Sequence, residues 1–207
     1  MPYVIRPKPL RGTMAAIFAG VALLLFGIPA AAQASPCSAT ATTKAFAAFG
    51  DNADYTLAPG GSFETGSAAW SLTNSWVQSG NESFKVHGAA DSKSLAVKAT
   101  GKATSPEFCV SIEHPTFRLF ARRTSGTWGV LYAKVRWKQN GVTNETVVGS
   151  YSAGDSAWHP TQSFNLAPVL GIWNGDQSFQ VQLVFDAETG GGNWAIDDVY
   201  VDPYSRG

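Results

Sequence analysis

The chain has 207 residues, with 15 Lys and Arg against 15 Asp and Glu and a formal net charge of zero. Hydrophobic residues make up 44% and charged residues only 14%, enough apolar material for one substantial core and too much for global disorder. The balanced charge leaves no cationic footprint for nucleic acid.

The first segment reads as a targeting signal. Arg6, Lys8 and Arg11 precede an almost uninterrupted apolar run from Met14 to Ala32, broken by Pro29 and closed by the small-x-small box Ala32-Gln33-Ala34. This predicts a signal peptide over residues 1–34. An uncleaved membrane anchor is the rival reading, because the run approaches spanning length; the Pro and the cleavage box favour export. No second apolar run of that length follows, so the mature part is expected to have no membrane span. Export leaves 173 of the 207 residues, and losing Arg6, Lys8 and Arg11 leaves 12 basic residues against 15 acidic ones, a net charge of −3. Cys37 and Cys109, the two cysteines, then enter an oxidising compartment, which predicts a disulfide between the start and the middle of the mature chain.

Residues 35–54 form a polar lead-in rich in Ala and Thr, with no strong period, tied by that disulfide to a single domain over 55–207. Clear period-two alternation marks three strands: Thr116–Arg122, Val130–Lys138 and Ser178–Asp186. Weaker candidates are Ala69–Thr73, Trp76–Ser79, Ser83–His87, Ser94–Lys98, Glu107–Ile112, Thr146–Tyr151, Thr161–Asn165 and Trp194–Val201. Turn signals at Ser79-Gly80-Asn81, Asn140-Gly141, Asn174-Gly175-Asp176 and Gly190-Gly191-Gly192 separate them. Many short strands without helical stretches between them predict an all-β, antiparallel β-sandwich.

Two clusters carry possible chemistry. Gly60-Gly61-Ser62-Phe63-Glu64-Thr65-Gly66 is followed by Trp70. At the far end, Trp194-Ala195-Ile196-Asp197-Asp198-Val199-Tyr200-Val201 sets two acids inside a β-branched and aromatic strand, where propensity disfavours them. As neighbours on a strand they are expected to point to opposite faces. An ionised acid near a core needs a partner or a metal.

A Gly-Gly-x-Phe-Glu-x-Gly segment, a Trp, and a closing Ile-Asp-Asp-Val strand together resemble the jelly-roll carbohydrate-binding modules of the galactose-binding-domain-like class. The chain as a whole also resembles short, secreted actinobacterial proteins. The family resemblance implies first and last strands lying side by side, with a structural calcium between them, and Glu64 with one of Asp197 and Asp198 as its ligands. It departs from the family in having Gly60 where Asn is usual and in carrying the cysteine pair. Calcium has an independent chemical basis: acids brought together from two ends repel unless a cation neutralises them, and calcium takes oxygen ligands. Caps or Lys and Arg partners for Asp197 and Asp198 are the alternative.

The outward positions of the three strong strands, Arg118, Phe120, Arg122, Tyr132, Lys134, Arg136, Gln180 and Gln182, form one surface if those strands are neighbours. An aromatic platform beside Arg and Gln suits a sugar, whose C–H faces stack on rings; an ordinary solvated face is the plainer alternative. Trp128 joins this candidate glycan site, and Trp76, Trp158 and Trp173 stand near expected loops. An enzyme is not indicated: there is no Gly-x-Ser-x-Gly elbow and no His-Glu-x-x-His, and His87, His114 and His159 are scattered. The sequence therefore predicts a secreted bacterial, non-catalytic binding module for a glycan, with a structural calcium. A cell-surface structural or protein–protein module without a sugar site, and a hydrolase or lyase on a sandwich, are the alternatives.

Overall fold

The computed structural model describes Cys37 and residues 41–111, 116–172, 177–189 and 191–202. The expected signal peptide, His114, Trp173, the Asn174-Gly175-Asp176 turn and Gly190 lie outside them. Eleven strands are named among the described residues: β1 (Thr56–Leu57), β2 (Ser71–Ser79), β3 (Lys93–Thr104), β4 (Phe108–Ser111), β5 (Thr116–Arg123), β6 (Leu131–Gln139), β7 (Val142–Tyr151), β8 (His159–Pro160), β9 (Phe164–Asn165), β10 (Ser178–Ala187) and β11 (Trp194–Asp202). Helix is confined there to a 3-10 turn, Ala47–Phe49, and one turn of α-helix, Ala167–Leu170.

The strands build one curled, antiparallel, jelly-roll-like sheet in the order β7-β6-β10-β3-β11-β5-β8. β1 adds to β11, β2 to β3, β4 to β10 and β9 to β5. The curl is made by β3, which serves two neighbours in turn: Leu95–Val97 pair with β11, and Lys102–Thr104 pair with β10. The corner between them is Thr100-Gly101. Thr100 has a left-handed φ of 66°, and a Cβ on Gly101 would sit 2.6 Å from the Lys98 carbonyl and 2.7 Å from that of Asn74. β2 turns with it through a register shift at Asn74, so the two expected segments Ala69–Thr73 and Trp76–Ser79 are one bent strand. Strands that change sheets at a bulge are how such folds turn corners.

The inner face of the curl is the main core. It takes Phe117, Leu119 and Ala121 from β5, Leu131, Ala133 and Val135 from β6, and Val181, Leu183 and Phe185 from β10, the alternate positions the period-two pattern selects. Trp70 closes one side, packed on Phe63 and Phe185, with its indole N–H donated to the Pro59 carbonyl at 3.1 Å.

Three expectations are corrected here. Ser83–His87 is loop, not strand. Of Thr161–Asn165 only Phe164–Asn165 is strand, as β9; Thr161 follows the end of β8, with its amide bonded to the Leu119 carbonyl. The third concerns Phe120. It does face away from the main core, but that side is not solvent: Phe120 is 0% exposed. Phe46 stacks on it at 5.3 Å, with Phe49 at 5.5 Å and Phe84 at 5.6 Å. Phe46, Ala45, Tyr55, Trp158, Ala195 and Tyr200 complete a second apolar cluster there. The lead-in therefore covers the outer face of β5 and β11, entering through a Thr43–Tyr55 bridge and into β1. The Cys37–Cys109 disulfide is formed, and ties this cover to β4. Burying one phenyl of this size is worth about 2–3 kcal/mol.

Candidate functional site

The acid-rich corner grows from a bulge in β11. Asp197 stands opposite Phe120 on β5 and Tyr200 opposite Arg118, so β11 carries one residue more than its partner between those pairs. Asp198 absorbs the excess with φ of 47°, a conformation an Asp tolerates better than most side chains. Alternation therefore resets: Trp194 and Ile196 point into the main core before the bulge, Val199 and Val201 after it. The expectation that Asp197 and Asp198 face opposite ways is overturned, because the bulge sends both toward the outer side. The bulge is clamped by the glycine segment near β1. The Ala58 amide donates to the Val199 carbonyl at 2.8 Å, and the Val199 amide to the Gly61 carbonyl at 3.1 Å.

Both acids are fully buried, and so nearly are Glu82 and Asp91. Asp197 accepts the amides of Glu82 and Asp198, each at 2.9 Å, and Asp198 Oδ2 accepts the His87 amide at 2.9 Å. Glu82 accepts the amides of Phe84 and Val86, and His87 Nδ1 lies 2.6 Å from Asp91 Oδ2. Asp198 Oδ1 is buried without a partner among the described residues. Burial first, and then the neighbouring Asp198 charge, push the Asp197 carboxyl up to about 9. Burial, opposed by the His87 amide and reinforced by Glu82, raises Asp198 to about 7. Burial and the same acids raise the Tyr200 hydroxyl. The corner holds more carboxyl groups than its amides can neutralise.

Donor atoms of His87, Asp91 and Asp198 all lie within 4.8 Å of one another, a cluster able to hold a metal ion. Glu64 and Asp197 are not part of that group. Glu64 instead accepts the amides of Ser92 at 2.9 Å and Lys93 at 2.7 Å, capping the start of β3. Sequence reasoning missed Glu82, His87 and Asp91. They lie in an irregular loop, and 111 residues separate His87 from its partner Asp198.

The expected sugar platform divides in two. β5 is separated from β10 by β3 and β11, so Arg118, Phe120 and Arg122 lie on a different part of the sheet from Tyr132, Arg136, Gln180 and Gln182. Arg118 is occupied by Asp51 at 2.6 Å, by the Thr161 carbonyl at 2.9 Å and by the Phe46 ring at 4.4 Å. Arg122 lies over the Trp158 ring at 4.9 Å. Trp128, 57% exposed, sits in the loop before β6, its carbonyl bonded to the Gly192 amide.

On the outer face of β7, β6 and β10, cross-strand register aligns Glu145, Arg136 and Gln182 in one row, and Tyr132 with Asp186 and Lys102 in another. Arg136 meets Glu145 at 2.6 Å and Lys134 meets Asp186 at 2.6 Å, with Lys102 3.4 Å from Glu145. Burial alone would raise the Glu145 carboxyl; Arg136 and Lys102 outweigh it and hold it below the usual carboxylate range. Beside this network lies a groove of about 240 Å³, lined by Glu107, Arg136, Trp137, Lys138, Thr143 and Gln182. Gln182 is fixed by donating to the Ser105 carbonyl at 3.0 Å. Gln180 is exposed on the same strand, opposite Cys109.

No family model and no curated protein matches the sequence. Solved structures do match in fold. The CBM22-1 xylan-binding domain of Paenibacillus barcinonensis Xyn10C is 14% identical, with a TM-score of 0.51 over 74% of this chain and 97% of that one. The CBM22-1–CBM22-2 tandem of the same protein gives a TM-score of 0.51 at 14% identity, over 74% of this chain and 46% of that one. The CBM22-1–GH10 modules of Clostridium thermocellum Xyn10B, complexed with xylohexaose, give 0.50 at 12% identity over 70% of this chain. The chain spans only 28% of that last protein's length. The fold is jelly-roll-related and carbohydrate-binding-module-like. Among the described residues no helix is long and apolar enough to cross a membrane.

Proposed function

We propose that the chain is an exported, non-catalytic glycan-binding module whose sugar lies in the groove on the outer face of β6, β7 and β10. The observation that carries this reading is the meeting of Arg136 and Gln182 across the β6–β10 register, in a groove that Trp137 also lines. A fixed amide and a guanidinium in a groove lined by an aromatic residue supply the donors and the apolar contact that a pyranose chain uses. The fold likeness to xylan-binding modules makes xylan the first polymer to test. The disulfide supports export, because such bonds persist in oxidising compartments. The test is depletion from solution by insoluble xylan and a panel of other polysaccharides, comparing the parent with Arg136→Ala and Gln182→Ala. At least a tenfold loss of binding by each variant is expected, and equal depletion of parent and variants would reject the groove.

A divalent cation belongs to the same reading, held at the acid corner by Asp91 and the unpartnered Asp198 Oδ1. Calcium fits these carboxylates, since it takes oxygen donors and neutralises surplus acid. His87 then acts as an orienting group, its ring N–H donated to Asp91. The ion would supply charge neutralisation to a packed corner and no reaction chemistry.

A further inference from the structure

On the outer face of β7, β6, β10 and β3, three cations stand round two acids. Glu145 Oε2 accepts Arg136 Nε at 3.0 Å and Nη2 at 2.6 Å, while Glu145 Oε1 lies 3.4 Å from Lys102 Nζ and 3.8 Å from Lys134 Nζ. Asp186 Oδ2 takes Lys134 at 2.6 Å and Lys102 at 4.0 Å. Both oxygens of Glu145 are therefore used. Burial would raise its pKa, but Arg136 and Lys102 outweigh burial, so the carboxylate keeps its charge at neutral pH. The cluster is open to solvent, with the Arg136 and Glu145 side chains 30% and 25% exposed. Lys138 and Glu107 also line the groove. Neither is in an ion pair among the described residues, and their charges offset each other.

Arg136 belongs to the groove and Glu145 does not line it; register puts Glu145 at one end of the row, Arg136 in the middle and Gln182 at the other end. A guanidinium binds a free carboxylate through paired N–H donors. Here one such edge, Nε with Nη2, is taken by Glu145, and Nη1 has no part in those bonds. A sugar hydroxyl needs a single donor and can use Nη1 while Glu145 stays in place. A uronic carboxylate must either displace Glu145 or settle beside its negative charge, where like charges repel. We infer that Glu145 is a specificity-determining residue of the groove: it presents Arg136 to the hydroxyls of an uncharged pyranose chain and turns away chains whose rings carry carboxylates. Asp186 acts in the same way on Lys134. This inference rests on the groove being a glycan site, and adds the class of glycan it refuses and the residues that refuse it.

The test is affinity electrophoresis of the disulfide-bonded chain through gels containing uronate-free arabinoxylan, hydroxyethylcellulose or sodium polyglucuronate, the last bearing one carboxylate on every ring. The parent should be held by a neutral polymer and at least tenfold less by polyglucuronate. Glu145→Gln keeps an oxygen that can accept from Arg136, so its binding to the neutral polymer should stay within about threefold of the parent. Its binding to polyglucuronate should rise at least tenfold, a gain that added salt removes. Asp186→Asn is a second route to the same gain should Glu145→Gln melt early. Glu107→Gln removes an equal charge from the groove without freeing a paired cation, and should gain less than about threefold. The inference alone is overturned if the parent binds polyglucuronate as well as the neutral polymer, if Glu145→Gln and Asp186→Asn both gain nothing, or if Glu107→Gln gains as much as they do. If neither neutral polymer holds the parent, the groove reading falls and takes the inference with it; neutral binding that Arg136→Ala abolishes keeps the groove reading whatever the variants do on polyglucuronate.

Discussion

Gly61→Ala isolates the clamp on the β11 bulge. Gly61 is not in the left-handed region; what it lacks is space. A Cβ built there would lie 2.7 Å from the Val199 carbonyl oxygen and 3.0 Å from that of Ala58. Both neighbours are backbone, so neither can swing aside as a side chain would. Restoring an ordinary contact of 3.4 Å needs a displacement of 0.7 Å between the segment and β11. That movement breaks or weakens the Ala58–Val199 and Val199–Gly61 hydrogen bonds, now 2.8 and 3.1 Å. Two buried bonds at about 1–2 kcal/mol each, including the groups left unsatisfied, sum to about 2–4 kcal/mol. For a domain of this size that lowers the melting temperature by about 5–15 °C. Thermal melting by circular dichroism reads it, with Gly154→Ala as the control: a Cβ there meets nothing within 4 Å, so its melting point should hold or rise slightly. If Gly61→Ala melted within about 2 °C of the parent, the close approach between the glycine segment and the bulge would not exist as described.

Other outcomes follow from the corner and the disulfide. Saturating calcium at a hundredfold excess over its dissociation constant should stabilise the parent by about 2.7 kcal/mol, and Asp198→Asn should remove that gain. Without a cation, Asp197 and Asp198 keep protons in the folded state that the unfolded chain has released. Their contribution is complete below the ordinary carboxylate pKa and is lost as pH rises through about 7 and then about 9. Chelator-treated protein should therefore melt higher at pH 5.5 than at pH 8.5, and added calcium should narrow the difference; the reverse order would refute the assignment. Opening the 72-residue Cys37–Cys109 loop by Cys109→Ser should cost about 4 kcal/mol, seen as an earlier denaturation midpoint.

What the sequence showed and what it hid divide along physical lines. Inner faces of β5, β6 and β10 were legible, because a strand with one face buried must alternate, and Leu131, Ala133 and Val135 sit where that rule puts them. Local pattern says nothing about what covers the other face. Phe46 lies in an Ala- and Thr-rich segment without period, yet it is the ring that buries Phe120. The bulge was also hidden. No Gly or Pro marks it, and Asp198 looks like an ordinary strand residue until its φ turns positive. That one inserted residue decides that both acids face Glu82, His87 and Asp91. The division of the sugar platform is a matter of topology: three well-predicted strands need not be neighbours, and β3 and β11 stand between them.

The disulfide also sets how the molecule would carry load. β1 lies antiparallel on β11, with Thr56 opposite Val201, so tension through those two strand ends alone would peel them apart one bond at a time. A pull arriving upstream of Cys37 instead passes straight through sulfur into β4, which is laced to β10 in the interior of the sheet. The intervening loop, containing the lead-in, β1 to β3 and the Glu82–Asp91 side of the acid corner, stays slack. The stressed path then avoids the corner where the charge is least balanced.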